Sequence, residues 1–270
     1  MIIRRQSANP SDSKEPSSAW QAVEMIQRSR STVYHLVTQP DHAQISGAIA
    51  AKFDPALEPD LTPEIVKAIA LHDHGWAQFE GYAPDCRQPL TDRNGRPLSF
   101  LDASPEVFLQ AWSGSIHAAA DNGPAGEYIV SRHFRSLAER RLRSVTDPPE
   151  STQRLRYFIL QQAEREVEIL PRVGLSDAQL GRLLKLLQFC DILSLVICSG
   201  APGSLDFTDD FCIGPLRLSP TQAGYRLERV TADGECGSSP LAADVQFTLP
   251  IFEFRDGSLI PLPECQVVLS

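Results

Sequence analysis

The chain lacks several features that would have decided its class at once. It has no C-x-x-C pair; its six cysteines (Cys86, Cys190, Cys198, Cys212, Cys236 and Cys265) are scattered. Such spacing excludes a zinc knuckle or a redox dithiol motif, and in an intracellular protein it marks ordinary small residues. There is no apolar run long enough to span a bilayer. The densest late stretch, Ile192–Cys198, is far shorter than the roughly 20 residues a membrane helix needs. The N-terminus turns polar without an apolar signal-like core, so a soluble, cytoplasmic protein is expected. Positive charge is also scarce: the formal net charge is −9, which argues against a nucleic-acid partner gripped through a broad basic surface. A small anionic substrate held by a few arginines stays open. No internal repeat is visible.

What is present is a globular composition, 42% hydrophobic over 270 residues, enough for one large domain or a domain with an appendage. Ile2–Arg5 and Thr32–Thr38 read as strands able to pair, separated by a Ser/Pro/Lys/Glu-rich insertion from Ser7 to Ser18. From about 40 to 200 the pattern is helical. Asp41 is placed to cap a first helix running toward Phe53. Thr62-Pro63 and Ser104-Pro105-Glu106 are helix starts, a capping side chain followed by proline at the first position. Further helices are expected at Gly126–Arg143, Ser151–Glu168 and Ser176–Cys198. The stretch Gly81–Phe100, rich in proline and Asn-Gly, reads as a long loop bordering the site. Past Gly200, Pro and Gly become frequent, and Tyr225–Val230, Val245–Phe254 and Gln266–Leu269 read as strands. The expectation is a mainly α, overall α+β fold: 1–39 as N-terminal strands with an insertion, 40–200 as a helical metal-binding domain, and 201–270 as a β-rich extension packed on it.

The chemistry-bearing residues fall on the apolar faces of these helices. His42 shares a face with Ile45, Ile49 and Phe53; His72 with Ile65 and Ile69; His133 with Val130 and Leu137. Asp191 lies on a stripe with Leu180, Leu184, Leu187 and Leu195. A buried carboxylate needs a partner, and polar residues pointing inward from several facing helices are how a bundle builds a metal site. Imidazole plus carboxylate suits iron, manganese, nickel or zinc. His72-Asp73 adjoins His74 and Gly75 at a helix end, where neighbours about 100° apart can converge on one ion.

The order His42, His72-Asp73, His117, His133, Asp191 resembles the H…HD…H…H…D pattern of two-metal members of the HD superfamily. The segment Phe189-Cys190-Asp191-Ile192-Leu193-Ser194 is similar to theirs around the last ligand. The resemblance covers roughly residues 40 to 200. Thr38-Gln39-Pro40-Asp41-His42, His72-Asp73-His74-Gly75-Trp76 and the β-rich tail also resemble an uncharacterised bacterial family known only as a domain of unknown function. The HD resemblance implies a helical bundle holding one or, as expected here, two divalent metals. Asp73 would bridge them; His42, His72 and Asp191 would complete one site, His117 and His133 the other. It implies a small-molecule substrate and catalysis by Asp73, with His74 or an unidentified carboxylate moving protons. The leading expectation is hydrolysis of a phosphorylated or other anionic substrate by metal-activated water. A diiron oxygenase, as in the branch that holds myo-inositol oxygenase and an aminophosphonate-cleaving oxygenase, is the alternative, and a non-catalytic binding module the third. Many relatives carry Lys where this chain has Trp76 (HD-x-G-K), so their substrates do not transfer directly. Arg87 and Arg132, with Trp76, are the candidate substrate contacts; Arg93 and Arg96 also lie on or near the loop. His35, within a strand, reads as structural.

Overall fold

The computed structural model describes residues 2–4, 34–80, 89–144, 147–207, 214–231, 233–255 and 257–270. The chain opens with strands β1 (Ile2–Arg4) and β2 (Tyr34–Val37), then helices α1 (Gln39–Ala50) and α2 (Pro63–Ala70). A 3-10 turn, His74–Trp76, leads into the short helix α3 (Ala77–Glu80), and a second 3-10 turn, Phe100–Asp102, comes later. Four longer helices follow: α4 (Pro105–Ala120), α5 (Pro124–Ser144), α6 (Pro149–Val173) and α7 (Asp177–Ser199). Seven strands close the chain: β3 (Leu205–Phe207), β4 (Leu216–Pro220), β5 (Gly224–Arg229), β6 (Val245–Leu249), β7 (Phe252–Arg255), β8 (Ser258–Pro261) and β9 (Cys265–Leu269). The fold is mainly helical α+β with strands at the two ends, as the patterning implied. Among the described residues no helix is long and apolar enough to cross a membrane.

The helix starts behave as their capping chemistry dictates. Thr62, Ser104 and Ser176 each accept a backbone N–H of their own first turn, and Ser176 with Gln179 forms a reciprocal capping box. The first helix begins earlier than expected. Thr38, not Asp41, is its cap: the Thr38 hydroxyl accepts the Asp41 N–H at 3.1 Å and donates to the Asp41 carboxylate at 2.6 Å. Proline at the second helical position makes the start at Gln39 natural. Phe53 lies beyond the helix, bridged to Leu241 of the C-terminal region.

One finding lay outside the sequence reading. The expected N-terminal hairpin forms, with Ile2 opposite Val37, but its strand β2 also pairs with β7, giving a sheet ordered β1-β2-β7-β8. The two ends of the chain are therefore stitched together. The expected single strand Val245–Phe254 is two strands in different sheets. Pro250 sits at the break, where its missing N–H ends the ladder. The second sheet runs β3-β4-β5-β9-β6, antiparallel except at β5–β9. It closes over α7, where Phe189 meets Phe207 of β3 edge-on at 5.3 Å. That cover explains why α7 is not merely striped: every residue from Phe189 to Ser199 is buried. One apolar core runs from Ile45 and Ile69 through Leu187 to Leu218 and Leu269.

Close helix contacts rest on small residues. A Cβ on Gly47 of α1 would lie 2.4 Å from Cβ of Ala70, and one on Gly126 of α5 would lie 2.6 Å from Cβ of Ala68. Helix α2 is thus held between two glycine contacts. Gly75 is tighter still: a Cβ there would meet the Ala111 carbonyl oxygen at 1.8 Å and the Ser115 nitrogen at 2.7 Å. The Gly75 N–H donates to the Ser115 hydroxyl at 2.9 Å, fixing the turn on α4. Of the long loop, 81–88 lies outside the described residues. Its remainder turns at Asp92, whose carboxylate accepts the Asn94 and Arg96 N–H groups. Substituting Gly75 by Ala should cost about 1–3 kcal/mol of stability by overpacking, read as a lowered denaturant midpoint. An unchanged midpoint would show that the contact with α4 is not as close as described.

Candidate metal centre

His42 projects from the first turn of α1, and that turn is anchored twice. Thr38 caps it, and the N–H of Gln39 donates to the Glu80 carboxylate at 2.6 Å. Glu80 is buried, which pushes its carboxyl upward; an orphan helix N–H is a favourable partner for it. Since Glu80 closes the same segment that begins at His72, one stretch of chain supplies two site residues and holds the helix that supplies a third. His72 follows the end of α2, Asp73 opens the next turn, and Asp191 comes from the middle of α7.

These four side chains meet. His42, His72, Asp73 and Asp191 are all buried, and each offers one ligand atom within 4.8 Å of the others. Nε2 of His42 lies 2.9 Å from Oδ2 of Asp73 and 3.8 Å from Oδ1 of Asp191. Nε2 of His72 lies 3.6 Å and 3.4 Å from the same two oxygens. The far side of each ring is occupied. His72 Nδ1 is 2.8 Å from the Ile69 carbonyl, which only accepts, so Nδ1 carries a proton and Nε2 is the nitrogen turned toward the carboxylates, where a proton or a metal can bind it. His42 Nδ1 is 2.8 Å from the Ser194 hydroxyl, which itself donates to the Asp191 carbonyl at 2.8 Å and touches Ser46 at 2.8 Å. With its own hydrogen committed, Ser194 accepts from His42. His42 Nε2 faces the Asp73 carboxylate at 2.9 Å and, with no metal bound, donates its hydrogen there; a metal would take the place of that proton. Oriented imidazoles with outer hydrogen-bond acceptors are the usual support of metal ligands.

The donor set tests whether an ion fits. Two nitrogens and two carboxylate oxygens suit manganese, iron, nickel or zinc. Bonds of about 2.0–2.2 Å place adjacent ligand atoms about 3–4 Å apart; the His–Asp separations lie in that range apart from the closer His42–Asp73 pair, and all four atoms lie within 4.8 Å of one another. His72 Nε2 is buried without a hydrogen-bond partner. Two carboxylates in this apolar setting need positive charge. Without a metal, protons supply it. Burial alone would lower His72, but Asp73 and Asp191 overcome it and raise the group to about 9. Asp191, despite its burial, is held below the usual carboxylate range, mainly by His72.

With the geometry described, the chain can be placed. A protein-family model described as a protein of unknown function, DUF3891, matches residues 25–229. The chain belongs to the DUF3891 family. No curated protein and no solved structure matches it. The matched stretch holds all four clustered side chains and their serine supports.

The remaining residues singled out in the sequence of this DUF3891 protein fall in several places. His133, on α5, is buried, with Nε2 3.5 Å from Oδ2 of Asp191, so it adjoins the cluster on the side of the other Asp191 oxygen. Burial lowers it to about 4, leaving it neutral near pH 7. His117 does not join them. It is exposed, and its Nδ1 faces the Ser113 carbonyl one turn back on α4, because the buried face of that helix runs through Phe108, Ala111, Ser115 and Ala119 instead. The expected second convergence of His117 with His133 is thus absent among the described residues, and it is Asp191, not Asp73, whose two oxygens address different histidines. Trp76 is 2% exposed, packed near Phe79, and offers no open face to a substrate. The tight Gly75 turn drives the indole into the core. Arg132 is bound to Glu166 at 3.3 Å, and Arg87 lies outside the described residues. Arg93 and Arg96 are exposed, as is His74 beside Asp73. Sequence reasoning missed Glu80, Ser46 and Ser194. Ser46 is four residues from His42 and Ser194 three from Asp191, each a hydroxyl on an otherwise apolar face, and that spacing was a usable signal.

Metal and proton compete for His72. In metal-free protein the proton on His72 stabilises the fold fully below about pH 6.5, and that stability is lost as pH rises through about 9. The melting temperature of metal-free protein should therefore fall across this window, while metal-loaded protein should not follow it. A flat metal-free profile would contradict the arrangement. Ser194→Ala should weaken metal binding about 10–100-fold, whereas His117→Ala should leave it unchanged; titration calorimetry distinguishes the two.

Proposed function

We propose that this protein is a metal-dependent hydrolase with an HD-superfamily arrangement, acting on a small phosphorylated or otherwise anionic substrate. The observation that carries the reading is the burial of His42, His72, Asp73 and Asp191 within 4.8 Å of one another. They come from three separated parts of the chain, in the order of the H…HD…D ligand pattern. A divalent metal held by these four would lower the pKa of a bound water to about 7 and offset negative charge on the substrate.

The protein's own groups supply orientation. Asp73 and Asp191 keep 10% and 7% of their side chains exposed, against 0% and 1% for His42 and His72. Water and substrate therefore approach from the carboxylate side. His133, neutral and buried, stands beside Asp191, with its Nδ1 buried without a hydrogen-bond partner. His74, exposed and next to Asp73, is the proton carrier of this reading. A single cluster among the described residues favours one-metal hydrolysis over a diiron oxygenase, because the surface position of His117 takes it away from the second site that the two-metal pattern assigns it.

Reconstituted protein should release phosphate from at least one member of a panel of small phosphomonoesters and phosphodiesters. A chelator should stop the reaction, and Asp73→Asn should slow it by more than about 100-fold, beyond the usual loss for a supporting residue. Metal-loaded protein that is inert toward the whole panel, or that turns over equally after chelation, would refute hydrolysis at this centre.

A further inference from the structure

Helix α5 carries polar side chains on two opposite faces. Successive residues on a helix stand about 100° apart. Glu127, Ser131 and Arg135 therefore form one stripe, and His133 leaves the helix on the far side. His133 meets Asp191, its Nε2 3.5 Å from Oδ2. The stripe meets α6. Glu166 takes Arg135 at 2.9 Å and Arg132 at 3.3 Å, Gln162 accepts the Ser131 hydroxyl at 3.1 Å, and Arg165 lies 3.2 Å from Glu127. Helix α6 supplies none of the four clustered side chains, yet it is tied by polar contacts to the helix that carries His133.

These ties are a poor source of stability. Glu166, Gln162 and Ser131 are buried. Burial pushes the Glu166 carboxyl up to about 7, despite the Arg132 guanidinium beside it. Among the described residues, Oε1 of Glu166 and Nε of Arg135 find no hydrogen-bond partner. A buried ion pair often holds a fold no more firmly than apolar residues of the same volume, and its best-attested role is to set register. The register set here is the rotation of α5 about its own axis. Side-chain tips lie about 5–6 Å from a helix axis, so a rotation of about 10° carries the His133 ring about 1 Å past Asp191.

We infer that Glu166 is a positioning residue: through Arg135 and Arg132 it fixes the rotation of α5, which holds the His133 ring against Oδ2 of Asp191 and so orients that carboxylate in the centre. The inference rests on the reading of the cluster as a metal centre. The other oxygen of Asp191, Oδ1, is the one 3.8 Å from His42 and 3.4 Å from His72. A displaced His133 is therefore felt at the metal through a single carboxylate.

Arg135→Leu combined with Glu166→Leu removes the pair as a unit. Arg132, with 40% of its side chain exposed, can then turn to water. The melting temperature should stay within about 4 °C of wild type. In metal-free protein the imidazole proton–nitrogen correlation spectrum should show the His133 signals moved. Calorimetric titration with zinc should show affinity lowered about 10–100-fold, the usual loss when a residue that orients a ligand is removed. In a His133→Ala background the same two substitutions should change zinc affinity by less than about twofold. Glu166→Gln, which still accepts from Arg135, should stay near wild type. If the leucine pair does not fold, Ser131→Ala with Gln162→Leu loosens the same helix contact and should move the same His133 signals. Unmoved His133 signals in a folded variant, or an equal loss of zinc affinity with and without His133, would overturn the proposal. A wild type that binds no zinc or other divalent metal would refute the metal centre instead, and the His133 signals alone would then decide the role of Glu166.

Discussion

Two carboxylates, Asp73 and Asp191, sit together inside an apolar helical bundle, and the rest of the centre follows from the need to balance them. An uncompensated buried charge is among the costliest things a fold can contain. Every neighbour addresses that problem. His42 and His72 bring ring nitrogens to the carboxylate oxygens, His133 stands at the second oxygen of Asp191, and among the described residues no arginine or lysine pairs with either carboxylate. The compensation is thus left to protons or to a metal ion, which compete for the same nitrogen lone pairs.

Distant parts of the chain hold this balance in place. Glycines at 47, 75 and 126 let α1, α4 and α5 approach their neighbours more closely than any side chain allows. Trp112 stacks on Phe134 with centroids 5.1 Å apart and lies near Phe108 and Phe158, which ties α4, α5 and α6 together beside His133. Glu80 and Thr38 fix the start of α1, and Ser194 links the His42 ring to the backbone carbonyl of Asp191. Pairing of β2 with β7 then closes the C-terminal strands onto the chain's beginning.

Much of this was legible in the sequence because it follows from local periodicity and capping. The helices begun by Thr62, Ser104 and Ser176, the inward faces of His42, His72 and Asp191, and the change to strands after Gly200 all depend on residues close together in the chain. What was not legible depends on contacts between distant segments. His117 was grouped with His133 by order along the chain, but only the packing of α4 decides which of its faces is buried. Trp76 was read as a substrate contact because its position invited comparison with a lysine, whereas the Gly75 turn commits it to the core. The break at Pro250 was visible as a residue, yet its consequence, a chain passing from one sheet to another, needs both sheets to exist.

The central claim is that a dication belongs between His42, His72, Asp73 and Asp191. Metal content of anaerobically purified protein, supplied in turn with iron, manganese, nickel and zinc, tests it most directly. One tightly held ion per chain is expected for the wild type and none for Asp191→Ala, with helix content preserved in both. A wild type that binds none of the four metals, or an Asp191→Ala protein that binds as well as the wild type, would contradict it.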